Sequence, residues 1–416
     1  MALMKHLVVL GAGTAGTIVA NRVRQELPRD WSVTVVDPSD THLYQPGLLF
    51  LPFGAKDEAE LVHLRGNTLC DGVEWARQGV RAIEPEKRRV VLEEGNVLEY
   101  DLLVVATGSQ MRPELTRGLV DSRWQQSICD FYTLSGALAL RDILARFERG
   151  RLVVNLVELP VKWPIAALEF AFLADDFFQR RKVRDQVEIV LATPLESAFS
   201  HPVAARVLRK VLERKGIRLE TEFATSCVDD GRNRLHAYDG RSLDFDLLVP
   251  IPTHTGADCI EQSGLGDELG FMPTDRRTLR ARGHTNIFVI GDATDVPTSK
   301  AGSVAHFEAD GLVPNLLRWI DQKPLEPAYD GHANCFLETG RGKGMLLDFN
   351  YDVEPLPGRY PLPALGPFSL LEESRINHLG KLAFRWVYFN GLLSGKPMPM
   401  ATQLSMVGKR VVELNG

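Results

Sequence analysis

Residues 7–16 read LVVLGAGTAG, and residues 285–294 read TNIFVIGDAT. The first stretch predicts a buried strand running into a glycine-rich turn, then a helix from Thr14 to Leu27. The second predicts another buried strand, ending in Gly291-Asp292. Gly11, Gly13 and Gly16 stand as G-x-G-x-x-G. The first glycine permits a tight turn and the second lets the backbone approach a pyrophosphate. The third lets the helix pack close to the strand, with the helix N-terminus toward the phosphates. A following strand, residues 32–36, ends at Asp37. That is 21 residues past Gly16 (37 − 16), where a carboxylate can bond a ribose hydroxyl. A chance glycine turn would not bring strand, helix and acid together, so a dinucleotide site is expected here.

Strand and helix periods alternate over most of the chain, which predicts an α/β fold with parallel sheets. Residues 98–108 (LEYDLLVVATG) read as a strand with a glycine exit, and 244–252 (DFDLLVPIP) echo it. Residues 151–158 and 186–193 read as strands of a second α/β unit, with a helix over 166–181 between them. The pattern breaks at Gly331. Pro and Gly crowd 354–367, and an amphipathic helix follows over about 373–390. The expected division is a first Rossmann-like domain of residues 1–115 plus 285–330, a second of 116–284, and a C-terminal region of 331–416.

The second unit lacks the fingerprint. From Val153 it reads VVNLVELPVKWPIAALEF, without a glycine. A pyrophosphate could not approach a turn carrying the side chains of Leu156, Val157 and Glu158. One bound dinucleotide is therefore expected rather than two, which weighs against a flavoprotein driven by NAD(P)H.

Composition narrows the field. A net charge of −6 argues against nucleic-acid binding. Five cysteines (70, 129, 227, 259 and 335) form no CxxC, and ten histidines form no ligand cluster, so no metal is expected. No run of 18 apolar residues and no signal peptide are visible, which leads to the expectation of a cytoplasmic location with reduced thiols.

The chain resembles the sulfide:quinone oxidoreductase and flavocytochrome c sulfide dehydrogenase family over nearly its whole length. The resemblance rests on the fingerprint, Ser127-Ile128-Cys129, Pro160-Val-Lys-Trp-Pro164, Lys300-Ala-Gly302 after Gly291-Asp292, and Asn334-Cys335 ahead of Gly342-Lys-Gly-Met345. It implies a tandem Rossmann-like, two-dinucleotide-domain flavoprotein that binds FAD through Gly11, Gly13, Gly16, Asp37, Thr107, Gly108, Gly291 and Asp292. Lys300 would stand near the pyrimidine end of the flavin. The resemblance also implies electron transfer from sulfide, or a related sulfur donor, to a quinone. Cys335 matches the C-terminal redox cysteine and Cys129 the early one; Cys70, Cys227 and Cys259 are read as structural.

The central redox cysteine of the family falls on Trp163. An indole cannot replace a thiolate nucleophile. Three readings stay open: use of Cys335 with Cys129 or alone, loss of sulfide chemistry, or a misread selenocysteine or cysteine codon. Glu169 and Glu308 are candidate proton carriers.

Residues 375–410 contain Arg375, Lys381, Arg385, Lys396, Lys409 and Arg410 and no acid. Leu379, Leu382, Trp386 and Phe389 are expected on one helical face, with Phe384 and Tyr388 beside it. A basic amphipathic helix of this kind reads as interfacial, or else as packed on the core or on a second copy in a homo-oligomer. The expectation is peripheral association on the inner face of the cell membrane. Quinone would enter between Phe384 and Tyr388 on the helix and Tyr44 and Pro46 on a facing loop. Two competing functions are a single-subunit NADH:quinone dehydrogenase, and a non-catalytic flavin electron-transfer or sulfur-binding subunit.

Overall fold

A computed structural model describes residues 4–363, 365–396, 398 and 401–411. Strand Lys5–Leu10 is buried on both faces over Leu7–Leu10 and runs parallel to two neighbours, Trp31–Val36 and Leu102–Val105. Ile287–Val289 and Val73–Ala76 complete a five-stranded parallel sheet, in the order 287, 102, 5, 31, 73 by first residue. The two stretches quoted at the outset thus lie in one sheet, separated by a single strand. The predicted strand over 98–108 is shorter than expected. It breaks at Tyr100-Asp101, and residues 97–99 join a small antiparallel sheet instead.

A second parallel sheet has the order Arg218–Glu220, Val187–Ala192, Gly150–Leu156, Leu247–Ile251. The sequence echo between the two halves is an echo of position. Leu102 pairs with Leu7 in the first sheet, and Leu247 pairs with Leu152 in the second. Helix Ala166–Arg180 follows the second unit's first strand, as helix Thr14–Glu26 follows that of the first. This repetition is the tandem Rossmann-like α/β fold.

Beyond residue 331 lies a four-stranded sheet, ordered Ala333–Gly340, Lys343–Phe349, Gly366–Leu370, Gly358–Leu362. Helix Arg375–Val387 packs on it and continues into a π-helical segment, Tyr388–Leu392. Ser374 caps the helix by accepting from Asn377 N–H at 3.1 Å. Buried Asn377 then bonds both the N–H and the carbonyl of Ser369, which pins the first turn to the sheet. Among the described residues no helix is long and apolar enough to cross a membrane.

Candidate active site

One cavity of about 750 Å³ runs from the glycine turn to the C-terminal helix. At the glycine end, a Cβ on Gly16 would collide with the Gly11 carbonyl oxygen, and one on Gly11 with that of Ala106. A Cβ on Gly13 would meet nothing within 4 Å, because Gly13 borders the open cavity. Strand, turn and helix therefore touch at Gly11 and Gly16, while Gly13 leaves room for a phosphate. Asp37 accepts the Ala12 N–H at 2.7 Å. Thr107, Gly108, Gly291 and Asp292 all reach the wall, and the Thr107 hydroxyl is buried without a partner. The Gly291 N–H is held by the buried Glu308 carboxylate at 2.6 Å. Burial raises Glu308 to about 7, and this carboxyl braces the turn. These features fit FAD, which the turn of Gly11, Gly13 and Gly16 and the wall of Thr107, Gly108, Gly291 and Asp292 would hold.

Lys300 lines the cavity, but its ammonium donates to the carbonyls of Asp292 (3.0 Å) and Thr294 (2.6 Å) and lies 4.2 Å from the Phe271 ring centre. Burial holds it below the usual lysine range. Two residues on this wall carried no motif. Arg65 is buried, pairs with Asp37 at 3.1 Å and donates to the carbonyls of Ala12, Ser39 and Thr41. His42 is held neutral by burial, at about 4, and bonds Tyr388 through Nε2. Each is an isolated side chain whose partners lie 24 to 346 residues away in the chain, so no spacing rule could have singled it out.

The second unit closes where the first opens. Its equivalent turn leaves only about 50 Å³, walled by Leu156, Leu159, Leu195 and Phe199. That is well short of the several hundred Å³ of a ligand pocket.

At the far end, Trp163 lines the cavity at φ 51°, in the left-handed region that bulky residues rarely adopt. Its N–H donates to the Lys300 carbonyl at 3.0 Å, and its own carbonyl accepts from the Tyr132 hydroxyl at 3.2 Å. The indole Nε1–H donates to Glu169, and Lys381 stands over the ring. Phe336, Phe368 and Phe384 make this end apolar.

The thiols are less accessible than expected. Cys335 sits in strand Ala333–Gly340, whose residues 334 and 336 line the cavity while 335 turns into the core beside Ser303. Burial pushes its thiol up to about 12, although Lys381 pulls the other way. Cys129 does not reach the cavity. Its N–H pairs with Leu248 in the second sheet and burial raises its thiol to about 12, so the expected pairing with Cys335 is not made. Cys259 is buried, and Cys70 and Cys227 are partly buried, all outside the cavity.

The expected quinone residues divide. Pro46 and Phe384 line the cavity, whereas Tyr44 and Tyr388 lie behind it. The π-helical turn swings Tyr388 inward, where its hydroxyl bonds Thr14 at 2.7 Å and His42 at 2.8 Å. Tyr44 packs against it with ring centres 4.8 Å apart. The expected interfacial face is also corrected. Leu379, Leu382 and Trp386 are exposed, but Phe389 packs on His63 and Tyr44. Lys381 and Lys409 point inward to Glu169 and Asp348, and Arg385 pairs with the half-exposed Glu60.

Fold and site together define an FAD-dependent oxidoreductase of the tandem Rossmann type. Residues 5–154 match the family described as Pyridine nucleotide-disulphide oxidoreductase. The chain is 25% identical over 405 residues to the mitochondrial sulfide:quinone oxidoreductase of Dictyostelium discoideum, covering 94% of this chain and 86% of the relative. It is 25% identical over 404 residues to that of Mus musculus, with the same coverage. The solved structure of the sulfide:quinone oxidoreductase from Aquifex aeolicus superposes with a TM-score of 0.78 at 18% identity, over 94% of this chain and 92% of that one. The chain is thus similar to sulfide:quinone oxidoreductases over most of its length.

Proposed function

We propose that this chain passes electrons from sulfide, or a related small sulfur donor, to a quinone at a membrane surface. The observation that carries the reading is the single continuous cavity. It joins a dinucleotide cradle to an apolar aromatic end beneath the exposed face of the C-terminal helix. Bound FAD would supply the two-electron relay between donor and quinone. The closed second turn supports a donor other than a bound nicotinamide.

Cys335 is the proposed sulfur acceptor. Its thiol and HS⁻ give a persulfide, one proton and two electrons; the quinone takes two electrons and two protons. A second HS⁻ takes the outer sulfur as hydrodisulfide, HSS⁻, and returns the Cys335 thiol, so each turnover draws in one proton net. Ser303 and Lys381 beside the thiol support this role, since both favour the thiolate against the burial that opposes it. We read Cys129 as structural and the domain limits as those of the two parallel sheets and the C-terminal sheet. Peripheral membrane docking through Leu379, Leu382 and Trp386 belongs to the same proposal.

Anaerobic titration tests it. Sulfide should bleach the flavin absorbance and NADH should not; bleaching by NADH, or by neither, would overturn the reading. Cys335→Ser should abolish sulfide-dependent bleaching while leaving reoxidation by quinone in place.

A further inference from the structure

Behind the aromatic end of the cavity a row of charged side chains leads from Lys381 to the surface, and its outer members, Glu338 and His378, have no part in cofactor binding or sulfur chemistry. Glu169, 0% exposed, sits in the first turn of helix Ala166–Arg180 and lines the cavity together with Lys381. The two pair at 3.0 Å, and Lys381 also donates to the Phe336 carbonyl at 2.8 Å. A further Glu169 contact, besides the Trp163 indole, runs away from the cavity: its Oε1 accepts the Glu338 N–H at 2.8 Å. Glu338 is itself buried, and its carboxylate accepts from His378 Nδ1 at 2.8 Å. His378 is 28% exposed by side chain and opens to solvent. The buried Glu338 carboxyl thus bonds a surface imidazole on one side and feels the charges of the cavity-wall ion pair on the other, to which the residue is joined by its backbone N–H.

We propose that His378 and Glu338 are the proton inlet of the cavity, recharging Lys381 and Glu169 as a quinone is reduced. This rests on the quinone half of the proposed function. Each quinone takes two electrons and two protons. Lys381 gives a proton to a quinone oxygen and becomes an amine, and the Glu338 carboxyl, on which the charges of both Glu169 and Lys381 act, is the source that restores it. The Nδ1–H of His378 reprotonates Glu338, while solvent protonates Nε2 of the same ring. No group changes its net proton content over the cycle.

The groups facing Glu338 suit this role. From helix Ala166–Arg180 comes Glu169, while Asp176 further along is taken up by the Arg341 N–H and Arg180. His378 and Lys381 come from helix Arg375–Val387, and Lys343 on the adjacent strand is exposed. Burial and the Glu169 charge raise the Glu338 carboxyl to about 7 and His378 opposes the rise, so the group can both hold and release a proton near neutrality. A carboxyl placed only to pin the helix would not need a solvent-opening imidazole as its partner.

The test uses dithionite-reduced holoenzyme reoxidised by a soluble quinone in stopped flow, so that the identity of the natural donor does not enter. Glu338→Gln and His378→Gln should slow reoxidation about tenfold or more above pH 7, with little effect at pH 5.5. Imidazole should restore the His378 variant, and Glu338→Asp should retain most of the rate. Sulfide bleaching should be unchanged in every variant. Infrared titration of the oxidised protein should show a carboxyl losing its proton near pH 7 that is missing in Glu338→Gln. Folded variants with wild-type pH profiles, or an unchanged infrared titration, would overturn the proposal. A wild-type protein that quinone reoxidises but sulfide does not reduce would instead sink the sulfide assignment alone.

Discussion

The Trp163 indole donates its Nε1–H to Glu169 at 3.3 Å, which places an aromatic ring where the resemblance calls for a sulfur nucleophile. The same carboxylate holds Lys381 at 3.0 Å, and the ammonium lies 5.2 Å from the ring centre. The partly buried ring and ammonium close over the fully buried acid as one unit at the cavity wall. Removing the acid leaves an ammonium desolvated without its counter-charge, which costs about 3–5 kcal/mol. Glu169→Gln should lower the urea midpoint accordingly. Trp163→Phe removes one hydrogen bond of several and should cost about 1 kcal/mol. Equal effects of the two substitutions would show that the ion pair is not what holds this wall.

Gly13 and Gly16 separate cofactor binding from folding. At Gly16 an alanine methyl would meet the Gly11 carbonyl, so Gly16→Ala should disturb the packing of helix Thr14–Glu26 on its strand. At Gly13 the methyl would meet no protein atom and would instead occupy the space beside the turn. Gly13→Ala should therefore keep the circular dichroism and melting temperature of the flavin-free protein while purifying with much less flavin. Full flavin content in Gly13→Ala would place the pyrophosphate elsewhere.

These glycines were legible in the sequence because their spacing encodes one local turn. The helices over residues 14, 166 and 375 were equally legible, because each repeats an apolar period within its own length. Side-chain direction was not. Cys129 lies near the expected place in the chain, yet pairing with Leu248 turns it into the second sheet. Tyr388 was expected on the quinone path, and a local change from α to π winding rotates it onto Thr14 and His42 instead. Lys381, Arg385 and Lys409 looked like a basic surface because their acidic partners are 212, 325 and 61 residues away. Such pairings are set by tertiary packing and leave no trace in a window of sequence.

Those paired cations change what membrane docking should look like. Of the six basic residues in 375–410, Arg375, Lys396 and Arg410 remain exposed. At ~1 kcal/mol each near an anionic surface, their attraction is about half that of six. Leu379 is 60% exposed and Trp386 69%, so apolar insertion should dominate. Leu379→Ser with Trp386→Ser should abolish co-sedimentation with phosphatidylcholine–phosphatidylserine vesicles and change stability by less than about 0.5 kcal/mol. Raising salt from 0.05 to about 0.5 M should weaken wild-type binding only partly. Complete release by salt alone would mean that charge, not the apolar face, holds the protein at the surface.

Glu308 ties the cofactor turn to the pH dependence of stability. Burial raises its carboxyl from 4.5 to about 7, while its backbone bond to Gly291 and the charge of Lys300 partly oppose the rise. Between about pH 4.5 and 7 the folded protein keeps a proton on Glu308 that the unfolded chain has released. Its contribution to stability is full below 4.5 and is lost as pH rises through 7. Glu338 acts in the same direction. His42 and His254, both lowered to about 4 by burial, act oppositely, since the unfolded chain binds protons there that the fold excludes. The wild-type profile is thus a sum of opposing slopes, and the difference between two proteins is the informative quantity. Glu308→Gln keeps an acceptor for the Gly291 N–H but no longer titrates. Relative to wild type, its urea midpoint should rise progressively from pH 5 to pH 8. A constant offset across that range would mean that Glu308 is ionised throughout and does not brace the turn as a neutral acid.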